Sequence, residues 1–275
     1  MEMEHVPKIL RCLTIVTAIS TATGEAYAQT VVGTQPAIPT SAAQTIIVPF
    51  NDGILPAAMT CQQSPVVAAW VIPSRFAVRE LQTAYAQARY HGTLWSAAIQ
   101  VGALSMEQYV ELSPSIIAAL QLSSQLIVGT TLSYTFAQAR GFAAEHLITA
   151  NAHMRFMLDS VTVIGVAARN IAQSMRAGST AGSQSLFQLG MGRRIGSFAL
   201  DADLVLPLHA PLGMYAALRW DVLGPFRMRI SYATVPQSIE ACAAFDAYDG
   251  VTIATAIHYH LALGISPTIG LWYQW

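Results

Sequence analysis

Apolar residues in this chain are abundant but almost never run together, and that combination leaves few folds open. They make up 53% of the sequence while charged residues make up 11%, against about 25% charged in ordinary soluble domains. A membrane-spanning helix needs about 20 consecutive apolar residues. The best candidate, PSIIAALQLSSQLIVGTTLSY, is broken by Gln121, Ser123, Ser124 and Gln125. The other structure that satisfies its own backbone inside a bilayer is a closed β-barrel, whose strands show lipid only at every second residue. The apolar content excludes a disordered chain. The formal charge of -1 gives no support to a nucleic-acid binder or an acidic tail.

The apolar residues do alternate. From Val251 to Leu261 one face carries Val251, Ile253, Ile257, Tyr259 and Leu261, and the other Thr252, Ala254, Ala256, His258 and His260. Phe226, Met228, Ile230 and Tyr232 stand opposite Arg227, Arg229 and Ser231. Phe198, Leu200, Leu204 and Leu206 oppose Asp201 and Asp203, and Met214, Leu218 and Trp220 oppose Tyr215, Arg219 and Asp221. Ile148, Met154, Phe156 and Leu158 oppose Thr149, Asn151, His153 and Arg155. Period two is the signature of a strand, and a long series with short turns makes an antiparallel meander. About fourteen such runs follow one another from Val66 onward, most near the 9 to 11 residues that a tilted strand needs to cross a bilayer. Tight connections at His91-Gly92, Ser123-Ser124, Asp159-Ser160 and Leu223-Gly224-Pro225 alternate with longer ones such as 172–182, as outer-membrane barrels require. The polar faces are mostly small, and Lys8 is the only lysine, where a water-facing sheet would carry many. The expectation is an all-β, antiparallel up-and-down transmembrane barrel of about fourteen strands.

Ahead of it lie two other regions. Met1–Ala28 reads as a cleaved export signal, with Lys8 and Arg11, an apolar CLTIVTAIS, and Ala26-Tyr27-Ala28 before the cleavage point. Residues 29–65 are rich in Thr, Ala, Pro and Gln, carry Asp52 as their only charge and show no period. They read as an irregular segment and a candidate plug for the lumen, leaving 66–275 as the barrel. Localisation is then the outer membrane of a Gram-negative cell. Cys61 and Cys242 are the cysteines beyond the leader; their sequence leaves a bridge or two separate thiols open, and no Cys/His spacing suggests zinc.

Six charges fall on the inward phase: Asp201, Asp203, Arg219, Asp221, Arg227 and Arg229. A three-residue connection at Leu223–Pro225 sets Val222 against Phe226 and Asp221 against Arg227. Pairing Leu206 with Met214 sets Asp201 against Arg219. The result is an ion-pair ladder on the lumen wall, either neutralising a polar interior or orienting a polar head group or plug. His258, His260, His153 and Arg155 face the same way, with Glu240 and Asp246 one strand from the first two. A Ser/His hydrolase of outer-membrane lipids is the enzymatic alternative, but no nucleophile can be placed beside these histidines. Lining of the lumen is the reading preferred, with no catalytic residue, cofactor or metal. Gly190-x-Gly192 lies inside a strand and lacks the helix of a nucleotide site; it reads as relief of crowding on the wall.

The chain ends PTIGLWYQW, placing Ile269, Leu271, Tyr273 and Trp275 on one face. An apolar face closed by an aromatic resembles the signal that outer-membrane barrels present to the barrel-assembly machinery. From Val66 to Trp275 the chain resembles the PorV/PorQ-type proteins, a branch of the FadL-like superfamily in Bacteroidota-type bacteria. The resemblance rests on strand order, the IGVAARNI strand, MYAALRW before LGPFRMRISYAT, and the ending HYHLALGISPTIGLWYQW. The usual early Asn-Pro-Ala is here Ile72-Pro73-Ser74. What the resemblance implies is a non-enzymatic fourteen-stranded barrel that passes small or hydrophobic molecules. Its alternative is an accessory subunit of a type IX-like secretion system. The partners implied are outer-membrane lipid, the assembly machinery, and hydrophobic small molecules or secretion subunits.

Overall fold

The computed structural model describes residues 66–176, 185–208, 211–235 and 237–274. The export signal, the segment 29–65, Cys61 and Trp275 lie outside these residues. The strands are β1 (Val66–Ile72), β2 (Gln82–His91), β3 (Trp95–Met106), β4 (Tyr109–Gln121) and β5 (Leu126–Ala139). There follow β6 (Glu145–Met157), β7 (Thr162–Arg176), β8 (Leu186–Ile195), β9 (Phe198–Pro207) and β10 (Gly213–Leu223). β11 (Phe226–Thr234), β12 (Gln237–Tyr248), β13 (Val251–His260) and β14 (Gly264–Gln274) complete the fourteen. Each strand pairs antiparallel with its neighbours in sequence, and β14 returns to β1 through Val66↔Gln274 to Val71↔Ile269. Closure removes both sheet edges, so every strand finds a backbone partner on each side.

Alternation sets what faces in and what faces out. Ile99, Ile116, Leu132, Leu200, Met214, Ile230, Ile257 and Ile269 point outward and stand exposed, while the residues between them are buried in the interior. Along β4 the outward apolar positions run from Val110 through Leu112 and Ile116 to Leu120. Ten residues span about 33 Å of strand, or about 25 Å across a bilayer at the usual tilt, which is the height of the apolar belt of outer-membrane barrels. Tyr90, Trp95, Phe198, Trp220, Phe245 and Tyr273 edge the belt at one end and Tyr134, Tyr232 and Tyr259 at the other.

The two ends of the barrel differ. At the end that carries both termini of the barrel, called the terminal end below, the connections are short: 92–94, 122–125, 158–161, 196–197, 224–225 and 249–250. At the far end they include 73–81, 140–144, 177–185 and 208–212. All the tight turns expected from sequence are at the terminal end. Two of them show the chemistry that makes them tight. Asp249 and Gly250 both have positive φ, at 41° and 81°, and a side chain on Gly250 would strike the Gln274 carbonyl. Asp159 accepts hydrogen bonds from the Val161 and Thr162 amides at 2.8 and 2.6 Å.

Interruptions have local causes. Pro114 has no N–H, and the β4–β5 ladder skips the pairs between Leu112↔Phe136 and Ser115↔Ser133. Hydroxyl bonds stitch that gap, Ser113 to Thr135 at 2.9 Å and Ser115 to Ser133 at 2.8 Å. In β7 the register against β6 shifts around Asn151; Asn170 takes a φ of 54° and donates its amide to the Asn151 side chain at 2.7 Å. Bulges of this kind bend a barrel wall where the sheet must curve. Because β7 runs on to Arg176, it is longer than the run 161–171 expected from sequence.

Candidate functional site in the barrel lumen

The inward positions of the strands make the lumen, and they divide into two surfaces. One is apolar. Val66, Ala68, Trp70 and Ile72 of β1, Tyr85 of β2, Cys242 and Ala244 of β12, Ala254 and Ala256 of β13 and Trp272 of β14 form one continuous buried cluster. The Trp70 and Tyr85 rings stack with centroids 5.1 Å apart and planes at 21°. This stripe runs the length of β1, from Val66 and Trp272 at the terminal end to Ile72 at the far end. Sequence alternation misses it because β1, VVAAWVI, is apolar on both faces, so no period marks its inner side. Small inward residues on β12 and β13 give no signal either.

The rest of the wall is polar and charged, and the structure places each expected residue on it. Asp201, Asp203, Arg219 and Arg229 are buried, and so are His153, Arg155, His258 and His260. Asp221 faces Arg227 across β10 and β11, as expected. The turn that makes this pairing is shorter than expected: Leu223 opposes Phe226, only Gly224 and Pro225 lie between them, and the register shift falls at Val222. Gly224 has a φ of 45°, which a two-residue turn demands and glycine supplies without strain. Val222 therefore does not oppose Phe226; it is absorbed as the extra residue of a bulge.

One expected pair is not made. Met214 opposes Leu204 rather than Leu206, so Asp201 stands opposite Ala217 and Arg219 opposite Ala199. β10 starts at Gly213 opposite Val205, so its register lies two residues from the expected one. A slip of two keeps every side chain on its face while exchanging all its partners. Arg219 instead meets Asp221 of its own strand at 3.3 Å, and Arg194 approaches the same carboxylate at 3.5 Å. The ladder thus comprises Arg194–Asp221–Arg219, Arg227–Asp246 and Arg229–Glu240. Thr252 also donates to Asp246 at 2.6 Å. Glu240, Asp246 and Arg194 are the members that the six expected charges left out. Their inward phase was readable, but their partners depend on register.

Asp203 has its own arrangement. It accepts from Gln188 Nε2 at 2.5 Å, and Gln188 Oε1 accepts from Arg169 at 3.1 Å. Gly190 lies directly opposite Asp203, where a Cβ would collide with the carboxylate. The glycine makes room for a buried charge, so this part of the Gly190-x-Gly192 pattern is structural.

His258 opposes Glu240 on one side and Ser266 on the other. His260 Nδ1 accepts the backbone N–H groups of Ala262 and Leu263, both at 3.2 Å, which places the proton of the neutral ring on Nε2. Above these histidines the connection 73–81 folds onto β14. Phe76 donates its amide to Ser266 Oγ at 2.8 Å, Ala77 donates to the Ile265 carbonyl at 2.7 Å, and the Phe76 ring meets His260 edge-on at 6.1 Å. Arg75 from this connection is buried inside the far end. Among the described residues no group of three or more His, Cys, Asp and Glu side chains could hold a metal ion. Ile269, Leu271 and Tyr273 lie exposed on the outer face of β14.

No protein-family model matches this chain, and no curated protein does. Solved structures do. The chain is similar to the CymD monoaromatic hydrocarbon channel at 11% identity, with a TM-score of 0.61 over 83% of this chain and 93% of that one. It is similar to the Ralstonia pickettii toluene transporter TbuX at 9% identity, TM-score 0.61, over 89% and 99% of the two chains. It is also similar to the Acinetobacter baumannii outer membrane protein Omp33 at 11% identity, TM-score 0.51, over 78% and 100%. At such identities the likeness is one of fold. The class defined is the closed, fourteen-stranded antiparallel barrel, the architecture shared with these outer-membrane proteins.

Proposed function

We propose that this protein is a non-enzymatic outer-membrane channel for small, predominantly apolar molecules. The observation that carries the reading is the pairing of an apolar outer belt with a continuous apolar stripe inside, from Trp272 to Ile72. Barrels of eight strands are filled by their own side chains, and those of sixteen or more hold water; fourteen lies between. A bore of that size with one apolar wall offers a compact hydrocarbon a route on which little of its surface meets water. The fold shared with a monoaromatic hydrocarbon channel and a toluene transporter supports this reading. The narrower PorV/PorQ assignment, and with it a place in a secretion system, belongs to the sequence resemblance alone.

The segment 29–65 completes the proposal. It joins the barrel at Val66, at the terminal mouth and at the foot of the stripe. Its composition, with TIIVPF, GILPAAM and the single charge Asp52, suits an apolar wall better than bulk water. It acts as the plug that a permeating molecule displaces. Uptake of toluene by vesicles that hold the full-length chain and have a lipopolysaccharide outer leaflet, which slows unaided hydrocarbon entry, tests the channel, and Trp70→Asp should abolish the part that depends on the protein. Equal uptake by empty and protein-bearing liposomes would overturn the reading. Cys242, on the inner stripe, reports on the plug. With Cys12 and Cys61 replaced by serine, maleimide labelling should be slow in the full chain and fast after deletion of 30–60, whereas equal rates would remove the plug.

A further inference from the structure

We infer that the lumen favours small organic acids, one carboxylate on a compact apolar body, through an excess of arginine in its terminal half. The inference rests on the channel reading above and names the substrate class of the same lumen. Position along the strands gives each inward charge its height. Arg89 and Arg155 are third from the terminal ends of β2 and β6, and Arg194 is second from that end of β8. Arg219 is fifth from the terminal end of β10 and directly opposite Arg229, the fourth residue of β11, and Arg227 is the second. Among the described strand residues, these six arginines stand with four carboxylates: Asp201, Asp221, Asp246, and the Glu240 that pairs with Arg229. Toward the far end Arg75 and Arg169 stand with Glu111 and Asp203. The strand wall is therefore polarised along its axis, cationic toward the terminal mouth and balanced toward the other.

This arrangement has two chemical consequences. Charges of one sign around a narrow, low-dielectric passage concentrate counter-ions there, and arginine is the usual side chain of anion pores. Every barrel cation is arginine, because the sequence has no lysine beyond Lys8. A guanidinium is planar and matches a carboxylate with two parallel hydrogen bonds, which an ammonium does not. The apolar stripe lies beside this arc: Cys242 of the stripe is directly opposite Arg229, and Ala244 is opposite Arg227. A molecule with an apolar body on the stripe would hold its carboxylate toward the arginines. A bare hydrocarbon uses half of that surface and an inorganic anion uses the other half.

Two measurements on the full-length chain test the inference. In planar bilayers under a KCl gradient, the reversal potential should show chloride passing several-fold more readily than potassium. The R89Q/R155Q variant should lose most of that preference, and R89K/R155K should retain it. In liposomes, the protein-dependent part of uptake should be several-fold larger for benzoate than for benzyl alcohol, a neutral body of nearly the same size, and R89Q/R155Q should narrow the gap. An open channel with no preference, or with a preference for potassium, would overturn the inference and leave the channel intact. A barrel that conducts nothing and passes neither solute would overturn both. Should R89Q/R155Q fail to fold, the wild-type reversal potential and the benzoate ratio decide the matter by themselves.

Discussion

Arg229 and Glu240 form the ion pair of the ladder that is most fully withdrawn from water, and the one whose removal should be felt most. Their side chains are 3% and 2% exposed, whereas the neighbouring Arg227–Asp246 pair is 27% and 47% exposed. Both pairs link β11 to β12 and both join arginine to a carboxylate, so the comparison isolates the effect of solvent. Glu240→Ala leaves a buried guanidinium without the carboxylate that compensates it, a change that costs about 3–5 kcal/mol when a buried pair is broken from one side. Asp246→Ala exposes Arg227 to water that can solvate it, so the cost should stay below about 1 kcal/mol. Reversible urea unfolding of the barrel in lipid vesicles, followed by tryptophan fluorescence, measures both. The R229A/E240A double variant should lose clearly less than its two singles add up to, because the second change removes the stranded charge. Raising the salt concentration should weaken the rim pair and leave the buried one nearly unchanged. Equal costs for Glu240→Ala and Asp246→Ala, or strict additivity for Arg229 and Glu240, would refute the view that burial sets the strength of this ladder.

Three other outcomes follow from single sites. Gly190→Ala should destabilise the barrel by about 1–3 kcal/mol in the same assay, as overpacking does, because its methyl would collide with the Asp203 carboxylate; a neutral result would mean Asp203 is free to move. The Asp159 carboxyl is held below its ordinary value of 3.8, chiefly by the Val161 amide and further by that of Thr162. Its contribution to stability is therefore complete above that ordinary value and fades as pH falls through the lowered one. Unfolding midpoints measured from pH 6 to pH 2 should show a steeper acid loss in the wild type than in Asp159→Asn, and parallel curves would contradict this. Leu271→Ser with Tyr273→Ser should lower the amount of heat-modifiable protein in the outer-membrane fraction, since both side chains lie on the outer face of the closing strand. Unchanged levels would show that this face serves only to meet lipid.

How much of this was legible in the sequence depends on what kind of information each feature needs. Which face a residue occupies is local, since it follows from counting by twos within one strand; hence Asp201, Arg219, Arg229, His153 and His258 could all be turned inward from sequence alone. Which residue it meets is not local. Asp221 was matched to Arg227 because a short turn with Gly224 and Pro225 constrains the count, and even there the fit needed Val222 to bulge. The partner of Asp201 escapes the same count, because β10 can shift by two residues without disturbing any face. No hydrophobic penalty opposes such a slip, so the alternation that reveals the strand is silent about its register. The apolar stripe fails to show for the complementary reason: where both faces of β1 are apolar, period two vanishes. The ion pairs and the stripe are the features that give this lumen its chemistry. Both arise where alternation stops carrying information, which is why the architecture could be read from the chain while the chemistry of its lumen required the structure.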